Sequence, residues 1–142
     1  FDGSRAPVCY NGDIFTIFDY ETLCGDYPEL DRVMLGRGII SNPGLLDRIA
    51  AGTNSDGSGT DKETLKRFHQ MIYEGYRQIM SGDRNVLFKM KELWACMIQI
   101  FSDNGKYIKR IKKSQRLEEY ETAAAAVFRD LDILEGAGFR TY

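Results

Sequence analysis

The sequence predicts an α/β segment followed by an all-α segment in a chain of 142 residues. Up to about residue 52, short apolar runs alternate with stretches of helical periodicity, which is typical of βα repeats. The run 52–59 is rich in glycine and serine, a composition typical of flexible linkers. Beyond it, apolar residues recur every three or four positions, as in a helical bundle. We therefore expect an α/β unit over residues 1–52, a linker over 53–60 and a helical domain over 61–142.

Two βα units are expected in the first segment. The apolar runs 7–10 and 32–35 are short and end at glycine-containing turns, as buried strands do. Thr16 and Asp19 form a capping box that begins one helix, and the pair Asn42-Pro43 suits the N-cap and first position of another. A strand–helix–strand connection of this length makes the two strands parallel neighbours. Because two parallel strands leave faces and edges uncovered, we expect further strands before the first residue.

Four helices are expected in the second segment. A capping box over 60–63 begins the first helix, and a short basic helix precedes the last, near 117–134. The apolar stripes of the first two helices, predicted to be core, are Leu65, Phe68, Ile72, Tyr76 and Ile79, then Leu87, Met90, Trp94, Met97 and Phe101. We interpret Trp94 as a packing residue because its neighbours are apolar. The alanine run 123–126 permits close approach of another helix.

Composition and cysteine content exclude several classes of protein. Apolar residues make up 43% and charged residues 28% of the chain, the balance of an ordinary globular domain, and no apolar run reaches the ~18–20 residues of a membrane span. Three widely spaced cysteines argue against a disulfide framework and for a reducing compartment. One histidine and no close cysteine pair argue against a structural zinc site. We expect Cys9, Cys24 and Cys96 to be buried structural thiols and His69 to be a packed or surface side chain.

The net charge of −2 conceals a strongly basic segment. Residues 84–116 hold nine basic and two acidic side chains, a net of +7, whereas the rest of the chain carries −9. Such a field indicates either a polyanionic partner or a solvated helix face. The spacing i, i+3, i+4, i+7 places Lys106, Lys109, Arg110 and Lys113 on one face of the short helix. This array suits contact with the phosphate backbone of a nucleic acid. A further alternative is that the helix lies on a membrane surface. The candidate RNA-binding residues are Lys89, Lys91, Lys106, Lys109, Arg110, Lys112, Lys113 and Arg116.

Two glycine-containing turns follow the predicted strands. They are Asn11-Gly12-Asp13 and Gly36-Arg37-Gly38. Both lie at the carboxyl ends of adjacent parallel strands, where α/β proteins of this type bind ligands. Glycine lets backbone N–H groups approach a phosphate closely, and Arg37 adds a planar bidentate donor. The alternative is that these glycines only form tight turns. The pairing of the two turns at one edge favours a phosphate site.

These segments resemble the end of the flavin barrel in tRNA-dihydrouridine synthases. The likeness is carried by residues 7–14, with their N-G-D-I turn, and by 31–43, which read close to V-M-I-G-R-G followed by N-P. Further on, 88–94 are similar to the start of a basic helix in that family's C-terminal helical domain. The segment 107–113, with the following Glu119-Tyr120, is similar to the part that comes next. The resemblance therefore runs in order over most of the chain, and the helical domain distinguishes this family from other FMN barrels.

The resemblance implies a fold and an activity. It implies the last two βα units of a TIM barrel followed by a C-terminal helical bundle, in a cytoplasmic enzyme that reduces uridine in tRNA to dihydrouridine with FMN, itself reduced by NADPH or NADH. The positions that match those holding the FMN phosphate are Asn11, Gly12, Asp13, Gly36, Arg37 and Gly38. The basic helical domain matches the part that binds tRNA.

The family's catalytic cysteine, and the lysine and histidine near the flavin, lie in earlier barrel segments that this sequence does not contain. The chain begins with Phe1 rather than Met, and we expect an excised piece whose missing N-terminal barrel segment belongs to the same protein. We assign no catalytic residue and no metal ligand here and expect this piece alone to be inactive. Two alternatives stay open: a standalone RNA-binding or adaptor protein, which would lack flavin, and another FMN-barrel oxidoreductase, which would not bind tRNA.

Overall fold

The computed structural model describes residues 6–52 and 61–134. The predicted linker 53–60 lies outside these residues. The elements of the first segment are β1 (Cys9–Asn11), α1 (Ile17–Asp26), β2 (Arg32–Met34), α2 (Arg37–Ser41) and α3 (Leu45–Ala51). The second segment contains α4 (Lys62–Ile79), α5 (Asp83–Met97), a 3-10 turn (Ile98–Ile100), α6 (Gly105–Lys113) and α7 (Leu117–Asp130). Within the described ranges, no helix is long and apolar enough to cross a membrane.

The two predicted strands pair in parallel, as expected. Cys9 lies opposite Arg32, and Asn11 lies opposite Met34. Between the strands, α1 begins at the predicted capping box: the Asp19 amide donates to Thr16 Oγ1 at 3.1 Å, and the Thr16 amide donates to Asp19 Oδ2 at 2.9 Å. This reciprocal pair satisfies two backbone donors that the first turn of a helix leaves without an intrahelical partner.

The strands are not buried, and this corrects the cysteine predictions. The first and last residues of both strands are exposed, and the thiol of Cys9 is exposed rather than buried. Cys24 and Cys96 are half-buried, not buried as predicted. The physical reason is that a two-stranded sheet has one hydrogen-bonded neighbour per strand, so most of its faces stay open to solvent.

The segment after β2 contains a helix that was not predicted. α2 covers Arg37–Ser41, where the sequence indicated only a turn. As a consequence Asn42 is the C-cap of α2, and the predicted N-cap role of Asn42 is wrong. The N-cap of α3 is Gly44, whose amide donates to Asn42 Oδ1 at 3.2 Å. An Asx turn therefore connects the two short helices.

The helical segment packs around α5, as its apolar stripe predicts. All five residues of that stripe are buried, and Trp94 is 0% exposed. On α4 the buried residues are Leu65, His69 and Tyr73, whereas Ile79, predicted to be core, is 78% exposed. Ile79 is the last residue of α4, and the side chains buried on that helix all lie at or before Tyr73.

Two helix ends differ from prediction. The N-cap of α4 is Asp61 rather than Thr60, because Asp61 Oδ1 accepts a hydrogen bond from the Thr64 amide at 2.8 Å. α7 ends at Asp130 rather than Leu134. Beyond it, the Leu134 amide donates to the Ile100 carbonyl at 2.8 Å. This contact takes the place of the predicted last turn, because it ties Leu134 to the 3-10 turn after α5.

A polar network lies inside the helical core. The Tyr120 hydroxyl accepts a hydrogen bond from Trp94 Nε1 at 2.8 Å and lies 2.5 Å from His69 Nε2. His69 is 6% exposed, so it is the packed side chain that the sequence indicated. Three of the four alanines in 123–126 are also buried, as expected for close approach to neighbouring helices.

The two segments of the chain are in contact. α2 packs against α5 and against the 3-10 turn that follows it. Ile40 of α2 is partly buried against the helical core. The turn Gly36-Arg37-Gly38 is therefore held next to the helical segment by the helix that begins in it.

Candidate functional site

The structure brings the two glycine-containing turns together. Because β1 and β2 are parallel and in register, their carboxyl ends meet at one edge, as in α/β proteins generally. A cavity of about 240 Å³ opens there. It is lined by all six residues predicted from the turns, together with Phe15: Asn11, Gly12, Asp13, Gly36, Arg37 and Gly38. The two turns are 25 residues apart in the chain. They form one candidate site because the strands before them pair in parallel.

Arg37 is oriented by two neighbours in this cavity. Its guanidinium forms an ion pair with the Asp13 carboxylate, and its Cζ lies 5.9 Å from the centre of the Phe15 ring. The guanidinium is a planar fork of N–H donors, a geometry that matches the oxygens of an anionic ligand. Asp13 thus positions Arg37 at the cavity. Phe15 was not predicted, because an aromatic residue after a turn carries no signal of its own.

The backbone at Gly38 is too close to its surroundings for any side chain. A Cβ atom there would collide with the carbonyl oxygen of Ile14 and lie 3.1 Å from Leu45 Cδ2. At Gly36 a Cβ would meet no atom within 4 Å. In the second turn, the glycine that close packing requires is therefore Gly38, which lies against the backbone of Ile14.

The cavity fits the phosphate end of a nucleotide and not a whole flavin. Sites for drug-sized ligands have volumes of about 300–1,000 Å³, and this one is smaller. Its lining combines two glycine turns, which suit an anion, with one ion pair, the guanidinium of Arg37 and the carboxylate of Asp13. A phosphate group such as that of FMN fits these residues.

A second candidate site is the groove between α6 and α7. The four basic residues predicted to share one face of α6 do so and line a cavity of about 630 Å³. These residues are Lys106, Lys109, Arg110 and Lys113. Ile111, on the opposite face, is 0% exposed. The α7 side contributes Glu118, Glu119 and Thr122, so the groove is bordered by carboxylates as well as cations.

The other predicted RNA-binding residues lie outside this groove. Lys89 pairs with Glu92 at 2.9 Å, and Arg116 pairs with Glu119 at 3.2 Å. Lys91 Nζ donates to the Ser114 carbonyl at 2.5 Å and so ties α5 to the end of α6. Lys112 is exposed next to the groove. Four of the eight predicted residues therefore line one surface. Lys91 contacts the end of the helix that carries that surface.

A third cavity, of about 670 Å³, lies beside α5. It is lined by Asp83, Arg84, Asn85, Leu87, Phe88, Lys91 and Gln115. Of these only Lys91 was predicted to belong to a site. Phe88 is 61% exposed. The sequence did not predict this exposure, because Phe88 lies in an apolar stretch.

The described part of the chain shows no metal site, and the Cys96 thiol is not activated. No group of three or more metal-ligating side chains occurs in residues 6–52 and 61–134. Burial raises the pKa of the Cys96 thiol, and the nearby Arg37 charge opposes that change only in part. A thiol with a raised pKa is a poor nucleophile at neutral pH.

Comparison with known proteins identifies the family. A family model described as dihydrouridine synthase matches residues 2–136. The chain belongs to the dihydrouridine synthase family. The family has the TIM-barrel fold, and the structure, mostly helical with two parallel strands, is compatible with part of such a barrel plus helices.

Three curated relatives are each named tRNA-dihydrouridine(16) synthase. The protein of Aquipseudomonas alcaligenes is 44% identical over 45 residues, covering 32% of this chain and 14% of that protein. The protein of Pseudomonas putida is 30% identical over 99 residues, which cover 68% of this chain and 29% of that protein. The protein of Neisseria meningitidis serogroup B is 24% identical over 135 residues, which cover 92% of this chain and 39% of that protein. The chain thus spans at most about two fifths of the length of these relatives.

Proposed function

We propose that this chain is the phosphate-binding and tRNA-binding part of a flavin-dependent tRNA-dihydrouridine synthase. In this proposal residues 1–52 form the last two βα units of the barrel, 53–60 the linker and 61–142 the helical tRNA-binding domain. The observation that carries the proposal is the convergence of two turns, distant in sequence, on one anion cavity in a chain of this family. The relatives' printed names support uridine 16 of tRNA as the target.

The residues of the 240 Å³ cavity would hold the phosphate of FMN. Arg37, oriented by its pair with Asp13, would place its guanidinium charge beside the phosphate oxygens. Gly38 would keep the second turn close to the first, since its packing against Ile14 leaves no room for a side chain. When bound, FMN would supply hydride-transfer chemistry at the uracil ring, and NADPH or NADH would be the reductant of the flavin.

The basic groove would hold the tRNA backbone. Its four cations are presented by one helix face whose opposite side is anchored in the core by Ile111. A rigid array of this kind contacts phosphates without reading bases, which suits folded RNA recognised by shape. The carboxylates of Glu118 and Glu119 on α7 repel phosphates, so we expect the RNA to lie on the α6 side of the groove.

The tRNA-binding part of the proposal is tested by charge reversal. Replacing Lys109, Arg110 and Lys113 by Glu should weaken tRNA binding by this chain. It should also lower the slope of log affinity against log salt by roughly 2–3, because each phosphate contact contributes about 0.7–0.9. The matched control replaces three exposed basic residues of α4, Lys66, Arg67 and Arg77, with the same change in net charge. Equal effects of the two triple variants on affinity and slope would refute the α6 surface.

The flavin-binding part is tested on the gene product purified from its own host. Arg37→Ala should lower the molar ratio of FMN to polypeptide, because the anion cavity loses its guanidinium. The control is Arg32→Ala, an exposed arginine of β2 that does not line the cavity. An unchanged FMN ratio in the Arg37 variant would contradict the assignment of the phosphate site.

A further inference from the structure

Phe88 presents an aromatic ring to solvent on the basic side of α5. The side chain is 61% exposed, although it lies in a helix whose Leu87 and Met90 are buried. Lys89 Nζ lies 5.9 Å from the centre of the ring, and Arg84 and Lys91 line the same cavity. An exposed ring flanked by cations is the combination with which proteins hold single-stranded nucleic acid.

Polar groups with fixed orientation surround this ring. Asn85 Nδ2 donates to the Ser81 carbonyl at 2.8 Å, and Gln115 Nε2 donates to the Lys113 carbonyl at 3.2 Å. Each amide also has an oxygen that accepts hydrogen bonds, and the Asp83 carboxylate is a further acceptor in the lining. The cavity can therefore contact a planar polar ring in two ways. The Phe88 ring can stack on its face, and the surrounding polar groups can form hydrogen bonds with its edge.

The cavity adjoins the basic groove. Gln115 lines the cavity at Phe88, while its backbone amide donates to Glu119 at 2.8 Å, and Glu119 lines the groove. Lys91 also lines the cavity, and it donates to the carbonyl of Ser114, a groove residue. The two concave surfaces therefore lie on either side of the short turn between α6 and α7.

We propose that the cavity at Phe88 binds one unpaired base of the tRNA, stacked on the Phe88 ring, while the groove of α6 holds the adjoining backbone. This inference rests on the proposed function. A volume of about 670 Å³ is within the range that holds small organic ligands. The base must be unpaired, because bases in an RNA helix are stacked and their faces are inaccessible. Arg84 and Lys91 then face the phosphates beside that base.

The test compares stacking with apolar contact at position 88. Phe88→Leu keeps an apolar side chain and should weaken binding of an unmodified tRNA transcript by about 5- to 150-fold, the range that alanine substitution of one stacking aromatic residue produces. Phe88→Tyr keeps the ring and should bind about as well as the parent chain. Phe18→Leu is the matched control, because Phe18 is 74% exposed on α1 and should change nothing.

Three further measurements test the stacking site separately from the proposed function. A fully paired RNA duplex should bind the Leu variant and the parent chain equally, and the salt slope should stay unchanged, since Phe88 contacts no phosphate. The tryptophan of the Phe88→Trp variant should lose fluorescence when tRNA is added, because a base stacks on it. The parent chain, whose tryptophan Trp94 is buried, should keep its emission under the same conditions.

Three outcomes would overturn the stacking site. They are tRNA binding by the Leu variant at parental affinity, an equal loss for duplex and tRNA, and a Phe88-dependent self-association in the absence of RNA, which would make the patch a protein contact. If charge reversal on α6 still weakens binding in the first case, the proposed function survives and only the stacking site fails.

Discussion

Protonation of the single histidine should destabilise the helical segment in mild acid. His69 is buried between α4 and α7, where Tyr120 Oη lies 2.5 Å from its Nε2. Because that hydroxyl already accepts from Trp94, its own proton is available to a neutral His69 and not to a protonated one. Burial lowers the pKa of His69 from 6.5 to about 4.

The size of the effect follows from that shift. In the unfolded chain the histidine binds a proton below about pH 6.5, whereas the folded chain resists protonation until about pH 4. The stability that the neutral histidine contributes is therefore complete above pH 6.5 and is lost as the pH falls toward 4. At 1.36 kcal/mol per pKa unit, the loss is about 3 kcal/mol, a large share of the stability of a small domain.

The assay is urea unfolding from pH 7.5 to 4.0, followed through the fluorescence of Trp94, the only tryptophan. Carboxylates such as Asp61, Glu119 and Asp130 also have lowered pKa values, so their protonation reduces stability in the lower part of the same range. The control variant His69→Gln retains them and lacks the histidine. The difference in pH dependence between parent and variant isolates His69.

Two results would refute this reasoning. One is a parallel pH dependence of the free energy of unfolding in the parent chain and in His69→Gln. The other is a histidine Cε1 resonance in the folded parent chain that titrates near pH 6.5. The second measurement needs no variant, because the chain has one histidine.

Further predictions concern the core and the phosphate cavity. Tyr120→Phe removes the hydroxyl shared by two buried ring nitrogens and should cost about 2–3 kcal/mol in urea unfolding. Tyr107→Phe loses only an exposed hydrogen bond and should cost less than about 0.5 kcal/mol, so equal costs would contradict the network. Gly38→Ala places a methyl group against a backbone carbonyl and should cost about 1–3 kcal/mol and lower FMN retention. Gly36→Ala meets open space, and an equal loss there would show that crowding is not the cause.

Much of the site geometry could be predicted because it follows from local periodicity and strand direction. Parallel pairing of β1 and β2 places both glycine turns at one edge whatever the side chains are. The 3.6-residue repeat of α6 places its four cations on one face. Neither inference needs knowledge of distant contacts.

The remainder depends on packing that the sequence pattern does not encode. α2 has five residues, one of them glycine, too few to display helical periodicity. The exposure of Cys9 depends on what covers the sheet, not on the strand itself. Phe88 lies among core residues in sequence, and only the position of α5 against its neighbours shows that its ring faces solvent.

The most direct test of the central claim is the dihydrouridine content of tRNA in the host after deletion of the gene that encodes this chain. We expect dihydrouridine to disappear at one position, 16 being the first to examine, and to return with the parent gene. The same gene carrying the Lys109, Arg110 and Lys113 reversals should restore it poorly, and the α4 control reversals should restore it fully. Unchanged dihydrouridine at every position of every tRNA would contradict the account.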